Sequence, residues 1–141
     1  MDGTLPTARS PRFPDGREKL RQVVAQRGLC GLANDTKWDE FIAGVRAHTR
    51  RPSYRFKCID GPVSGWDVEW SYHLPVPLLS VEWLDVAPLQ TVPESGQASH
   101  VVEHSGWIEE LLRAAGLDFR TGAAMIRVFG YSPRSLELFD A

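Results

Sequence analysis

The chain has 141 residues, 43% of them hydrophobic and 24% charged, with a net charge of −2. That length supports one ordinary domain with a real core, and the slight acidity argues against a protein held on nucleic acid by backbone electrostatics. No apolar run is long enough to span a bilayer, and the start of the chain has no apolar segment followed by a cleavage site, which predicts a cytoplasmic protein without a secretory signal.

Residues 1–14, with Pro6, Arg9, Pro11, Arg12 and Pro14, read as a flexible basic arm ahead of a single domain over 15–141. Leu20, Val23 and Val24 give a first helix its apolar stripe, and Gly28 stops it. Asn34 or Asp35 caps a second helix, in which Trp38, Phe41, Ile42 and Val45 fall on one face. Alternation then predicts strands over residues 54–60 and 66–73, joined as a hairpin through Gly61, Pro62, Ser64 and Gly65. In the second strand Trp66, Val68, Trp70 and Tyr72 would point one way and Asp67, Glu69, Ser71 and His73 the other. Pro75 and Pro77 require a bend or a sheet edge. Residues 79–86 read as a third strand, with Val81 and Trp83 in the core and Glu82 on the opposite face. Residues 87–100, rich in Pro, Ser and Gly, read as a long loop. Ser105 caps a third helix with a stripe of Trp107, Ile108, Leu111, Leu112 and Ala115, and Gly116 ends it. Residues 117–120 and 124–131 form a last strand pair, and residues 135–139 are expected to turn helical. The order predicts an α+β fold: an antiparallel sheet of four to five strands with helices packed on one face.

Charge is segregated along this order. Residues 1–57 hold twelve Lys and Arg against six Asp and Glu, whereas residues 58–112 hold nine carboxylates and no Lys or Arg. Trp66, Trp70 and Trp83 lie in the acidic stretch. An acidic surface with embedded aromatics suits a basic protein partner and repels nucleic acid. The candidate partner-binding residues are Asp67, Glu69, His73 and Glu82.

Other chemistry has less support in the residues. Asp67, Glu69 and His73 on one strand face would stand about 7 Å apart, a spacing usable for acid–base work or for a metal. A solvated sheet face has the same composition, with Arg55 and Lys57 opposite to neutralise it. His100 and His104 have ligand spacing only if helical, and they fall at a loop–helix boundary. Cys30 and Cys58 read as reduced, partly buried thiols on different elements, and neither belongs to a CxxC pair. No nucleophile elbow or phosphate-binding glycine pattern is present. No metal or cofactor is therefore expected. The Arg-rich front, with Arg50 and Arg51, lacks the interleaved aromatics of a nucleic-acid surface.

Four segments together resemble an uncharacterised bacterial family, a domain of unknown function. They are Asn34-Asp35-Thr36-Lys37-Trp38, then Trp66-Asp67-Val68-Glu69-Trp70-Ser71-Tyr72-His73, then Ser80-Val81-Glu82-Trp83-Leu84, and the strand Ile126-Arg127-Val128-Phe129-Gly130-Tyr131. The resemblance spans roughly residues 30–132 and implies no activity or catalytic residue. In size and charge the chain also looks like the immunity proteins of secreted bacterial toxins. The expected function is non-enzymatic occlusion of a basic toxin. The alternatives are a small enzyme or metal-binding domain on Asp67, Glu69 and His73, and a nucleic-acid-associated protein using the basic front.

Overall fold

Helical periodicity builds the core. The computed structural model of the chain describes residues 16–141, so the basic arm expected over 1–14 lies outside the described residues. Helix α1 (Gly16–Arg27) leads into the short strand β1 (Cys30–Gly31) and then α2 (Asp35–Arg46). The Asn34 side chain caps α2 by accepting the Lys37 amide at 2.8 Å. Trp38, Phe41, Ile42 and Val45 are buried along α2, and they meet Ile108, Leu112 and Ala115 of α3 (Ser105–Ala115). Trp107 and Leu111 pack against this core half-buried. Gly28 (φ 65°) and Gly116 (φ 73°) end α1 and α3 in the left-handed conformation that glycine adopts without a Cβ clash. In both cases the following Leu amide reaches back over the last turn, Leu29 to Val24 O and Leu117 to Leu112 O.

The sheet is antiparallel with order β2-β3-β7-β6, from β2 (Tyr54–Cys58), β3 (Val81–Val86), β6 (Asp118–Thr121) and β7 (Ile126–Phe129). Helices α2 and α3 cover the face that carries Tyr54, Leu84, Val86, Ile126 and Val128. The molecule is thus α+β with helices on one face of the sheet. Two small ribbons complete it: β1 with β8 (Tyr131–Ser132), and a hairpin of β4 (Leu89–Glu94) and β5 (Gln97–Glu103). Residues 133–141 run as a strap under the second face of the sheet, where Arg55, Trp83, Asp85 and Arg127 point.

Four expectations are corrected. Residues 66–73 are not a strand but a loop that touches β2 at its start. Residues 87–100 are largely hairpin; Pro93 fits because the register shifts between Val92 and Glu94, a position where a missing amide costs no ladder bond. Residues 135–139 form a turn without a helix. In β3 Val81 and Trp83 are buried as expected, Val81 with Leu84 and Val86 in the helix-covered core and Trp83 against the Arg127 guanidinium, but Glu82 is buried too rather than presented at the surface. Cys30 is exposed and Cys58 half-buried, and both are free thiols.

Two positions make the packing testable. The Gly130 amide donates to Glu82 O at 2.8 Å, and a Cβ at Gly130 would collide with Val81 O. Gly130→Ala is therefore expected to cost about 1–3 kcal/mol by overpacking, read as a lower urea midpoint; an unchanged midpoint would show that β3 and β7 yield there. His104 ties the β4–β5 hairpin to α3. Its Nδ1 accepts the Trp107 indole N–H at 3.0 Å, so Nε2 carries the proton and donates to Gln90 Oε1 at 2.7 Å. Trp107 in turn stacks on His48 at 3.6 Å. Burial, then the neighbouring His48 and Arg50 charges, lower the His104 pKa below its usual 6.5, against an opposing pull from Glu103. The unfolded chain then binds the proton more readily, so this stabilisation is complete above pH 6.5 and is lost as pH falls through the folded value. Denaturation midpoints should drop as pH falls below 6.5, and His104→Gln should flatten that drop; equal slopes would contradict it.

Candidate partner-binding site

The site grows from the connection between β2 and β3. Its first part follows the hairpin pattern: Tyr54 and Asp67 exchange both backbone hydrogen bonds at 2.8 Å, and Ser64 N donates to Phe56 O at 2.8 Å. Beyond Asp67 the chain leaves the sheet because its own carboxylates offer the backbone closer partners. Asp67 Oδ1 accepts the Glu69 amide at 2.9 Å, and Glu69 Oε1 accepts the amides of Ser71 and Tyr72, the latter at 2.9 Å. This local bonding replaces a ladder and breaks the alternation.

Trp70 then turns inward. It is fully buried, its indole N–H donates to Pro52 O at 2.8 Å, and its ring lies 4.6 Å from Tyr54 and 6.2 Å edge-on to Phe41. Tyr54 Oη donates to Glu69 O at 2.6 Å, and Arg46 Nε donates to Trp70 O at 2.8 Å. The loop is thus fixed from inside, while Trp66, Val68, Tyr72 and Val76 stay 46%, 64%, 87% and 94% exposed. Beside it, a groove of about 330 Å³ opens between α2 and residues 71–78, with Asp39 and Arg46 at one wall and Leu74 and Val76 at the other.

The predicted site residues separate. Asp67 and His73 come together, Oδ2 to Nδ1 at 2.7 Å. Glu69 lies in the same loop but turns its Oε1 to amides. The Glu69 amide, then His73, hold the Asp67 carboxyl below its usual pKa, and the Ser71 and Tyr72 amides do the same for Glu69. Burial, helped by the charges of Asp67 and Glu69, pushes the Tyr54 phenol up to about 12. Glu82 does not join them. It is 3% exposed and bonds Arg27 through both oxygens at 2.9 and 3.0 Å and Lys57 at 3.2 Å. Burial alone would raise its pKa, but Arg27 and Lys57 outweigh that and hold it ionised. Part of the charge segregation along the chain is therefore neutralised internally, Arg27 and Lys57 on Glu82 and Arg55 on Asp85.

A constellation not anticipated from the sequence lies on the second sheet face. Asp85 is paired in register with Arg55 on one side and Arg127 on the other. The readable signal was an acid at the centre of an otherwise apolar strand, together with an arginine at the centre of Ile126–Phe129. Among the described residues no cluster of three His, Cys, Asp or Glu is placed to hold a metal ion, and no helix is long and apolar enough to cross a membrane.

A family model covers residues 20–135, nearly the whole of this architecture. The chain belongs to the family of unknown function DUF6678. The matched span of that family includes the segments of residues 34–38, 66–73, 80–84 and 126–131, and with them the entire loop of the candidate site. No curated protein and no solved structure matches the chain.

Proposed function

We propose that this protein is a non-enzymatic binding protein, most concretely an immunity-type inhibitor that occludes a basic toxin of bacterial origin. The observation that carries the reading is the loop over 66–76. Exposed Trp66, Val68, Tyr72 and Val76 alternate there with ionised Asp67 and Glu69, on a backbone pinned by Trp70. A surface ordered before binding loses little entropy on association. Its aromatics supply desolvated contact area, and its carboxylates steer a cationic partner. The groove beside α2 offers a place for an apolar anchor from that partner. The enzyme or metal reading has one observation in its favour, the Asp67–His73 contact at 2.7 Å.

Asp67 and Glu69 also hold the loop, so replacing them changes shape as well as charge. Val68 and Tyr72 test the surface alone. Immobilised protein should retain a basic protein from host lysate at low salt and inhibit its activity. Val68→Ser with Tyr72→Ser should weaken that complex about tenfold or more. Equal retention by both forms would reject the site, and a stoichiometric metal lost in Glu69→Gln would favour the competing reading.

A further inference from the structure

The sheet face turned away from α2 and α3 carries a row of charge that the loop does not use. Register sets Arg55, Asp85, Arg127 and Arg120 side by side across β2, β3, β7 and β6. Two guanidinium groups, those of Arg55 and Arg127, thus flank a single carboxylate, and the exposed Arg120 follows at the edge of the row. Asp85 accepts from Arg127 Nε at 2.7 Å, Arg127 Nη2 at 2.9 Å and Arg55 Nε at 2.9 Å, and both Asp85 and Arg127 are fully buried. Aromatic rings sandwich the row: Trp83 lies 3.6 Å from the Arg127 guanidinium, Trp66 4.8 Å from that of Arg55, and Phe139 5.5 Å from Arg127 and 5.6 Å from Arg120. The Trp83 indole N–H is buried and unpartnered among the described residues.

Asp85 alone faces two largely buried guanidinium groups, Arg127 at 0% and Arg55 at 14% side-chain exposure, and this excess of positive charge requires further acceptors. Here they are peptide carbonyls of the strap over 133–141. Ser135 O takes Arg127 Nη1 at 3.0 Å and Leu138 O takes Arg55 Nη2 at 3.1 Å. Among the described residues, no strap carboxylate bonds either guanidinium, although carboxylates are the stronger partners for arginine. The strap has no regular secondary structure, leaves Leu136 and Leu138 about half exposed, and places Leu138 at φ 59°, a region leucine avoids. Residues 136–141 also lie beyond the family's matched span.

We propose that this face is a peptide-docking groove which the strap occupies intramolecularly, and that its external ligand is an acidic segment of a partner protein bearing an aromatic side chain. The strap is the template for that ligand: Leu136-Glu137-Leu138-Phe139-Asp140 lays a ring over two arginines but meets the cationic row only with neutral carbonyls. An incoming carboxylate supplies the charge that the row lacks. The groove adjoins the loop over 66–76 at Trp66 and stands independently of the function proposed for that loop.

The test weakens the strap in the full chain and offers its sequence in trans. Phe139→Ala removes the ring that covers Arg120 and Arg127. In calorimetric titration, a synthetic peptide with the sequence of residues 135–141 should bind Phe139→Ala at least tenfold tighter than it binds the unaltered protein. A peptide with alanine for its phenylalanine, and one with amides for its acids, should each bind at least tenfold more weakly. Should Phe139→Ala not fold, Gly122→Ala serves instead, because its new Cβ would meet Asp140 O and the Phe139 ring and so lift the strap while keeping its side chains. No binding by a folded, strap-weakened variant, or equal binding to the unaltered protein, would overturn the groove. Equal binding of the amide peptide would overturn the acidic ligand.

Discussion

Asp85→Ala is expected to destabilise the protein by about 3–5 kcal/mol, because it leaves a buried guanidinium without its counter-charge. Arg127 is fully buried and gives two of its donors to Asp85, and Arg55 gives a third. The loss is asymmetric. Removing the carboxylate strands Arg127, whereas Arg55, 14% exposed at its side chain, has some access to water. Asp85→Asn keeps an acceptor but not the charge, and should fall between the two proteins. Urea denaturation at constant ionic strength measures this. A loss below about 1 kcal/mol, the range of exposed ion pairs, would mean that water reaches the row.

Trp70→Ala is expected to cost a similar amount, about 3–5 kcal/mol for a fully buried aromatic, and also to release the candidate surface. The indole fills the space between Phe41 and Tyr54 and anchors the loop to Pro52 O. Without it, residues 66–76 should become sensitive to protease and partner affinity should fall. Tyr72→Ala provides the contrast. Tyr72 is 87% exposed, so its removal should change stability by no more than about 0.5 kcal/mol and affect binding alone. Protease resistance unchanged in Trp70→Ala would show that the loop is held by its own hydrogen bonds.

The difference between these two positions was not legible in the sequence. Trp66, Val68, Trp70 and Tyr72 alternate as a strand would, which predicts one shared face. In the structure only Trp70 is buried, because Asp67 and Glu69 capture nearby amides and the chain turns away from the sheet. Periodicity cannot register that competition. The helices were legible because their stripes run over several turns and end in capping residues: Trp38, Phe41, Ile42 and Val45 are all buried, and Gly28 and Gly116 sit where they stop the chain. The antiparallel class followed from the alternation, but the sheet order did not: the expected partner of β2 was residues 66–73, whereas β2 pairs with β3. Glu82 was read as a surface acid because its partners lie far along the chain, Lys57 at 25 residues and Arg27 at 55. The row through Asp85 escaped for the same reason, since three separate strands supply it. The acidic stretch reads as a surface for a basic partner, yet two of its carboxylates, Glu82 and Asp85, find their basic groups within the molecule.

The central claim is that residues 66–76 form the partner surface, and amide hydrogen exchange with and without the retained basic partner tests it most directly. Complex formation should slow exchange across the loop, at Val68, Tyr72, His73 and Val76 above all, with smaller changes along the α2 side of the adjoining groove. It should leave the β4–β5 hairpin unchanged. Protection confined to that hairpin or to α1, with residues 66–76 exchanging as in the free protein, would contradict the account.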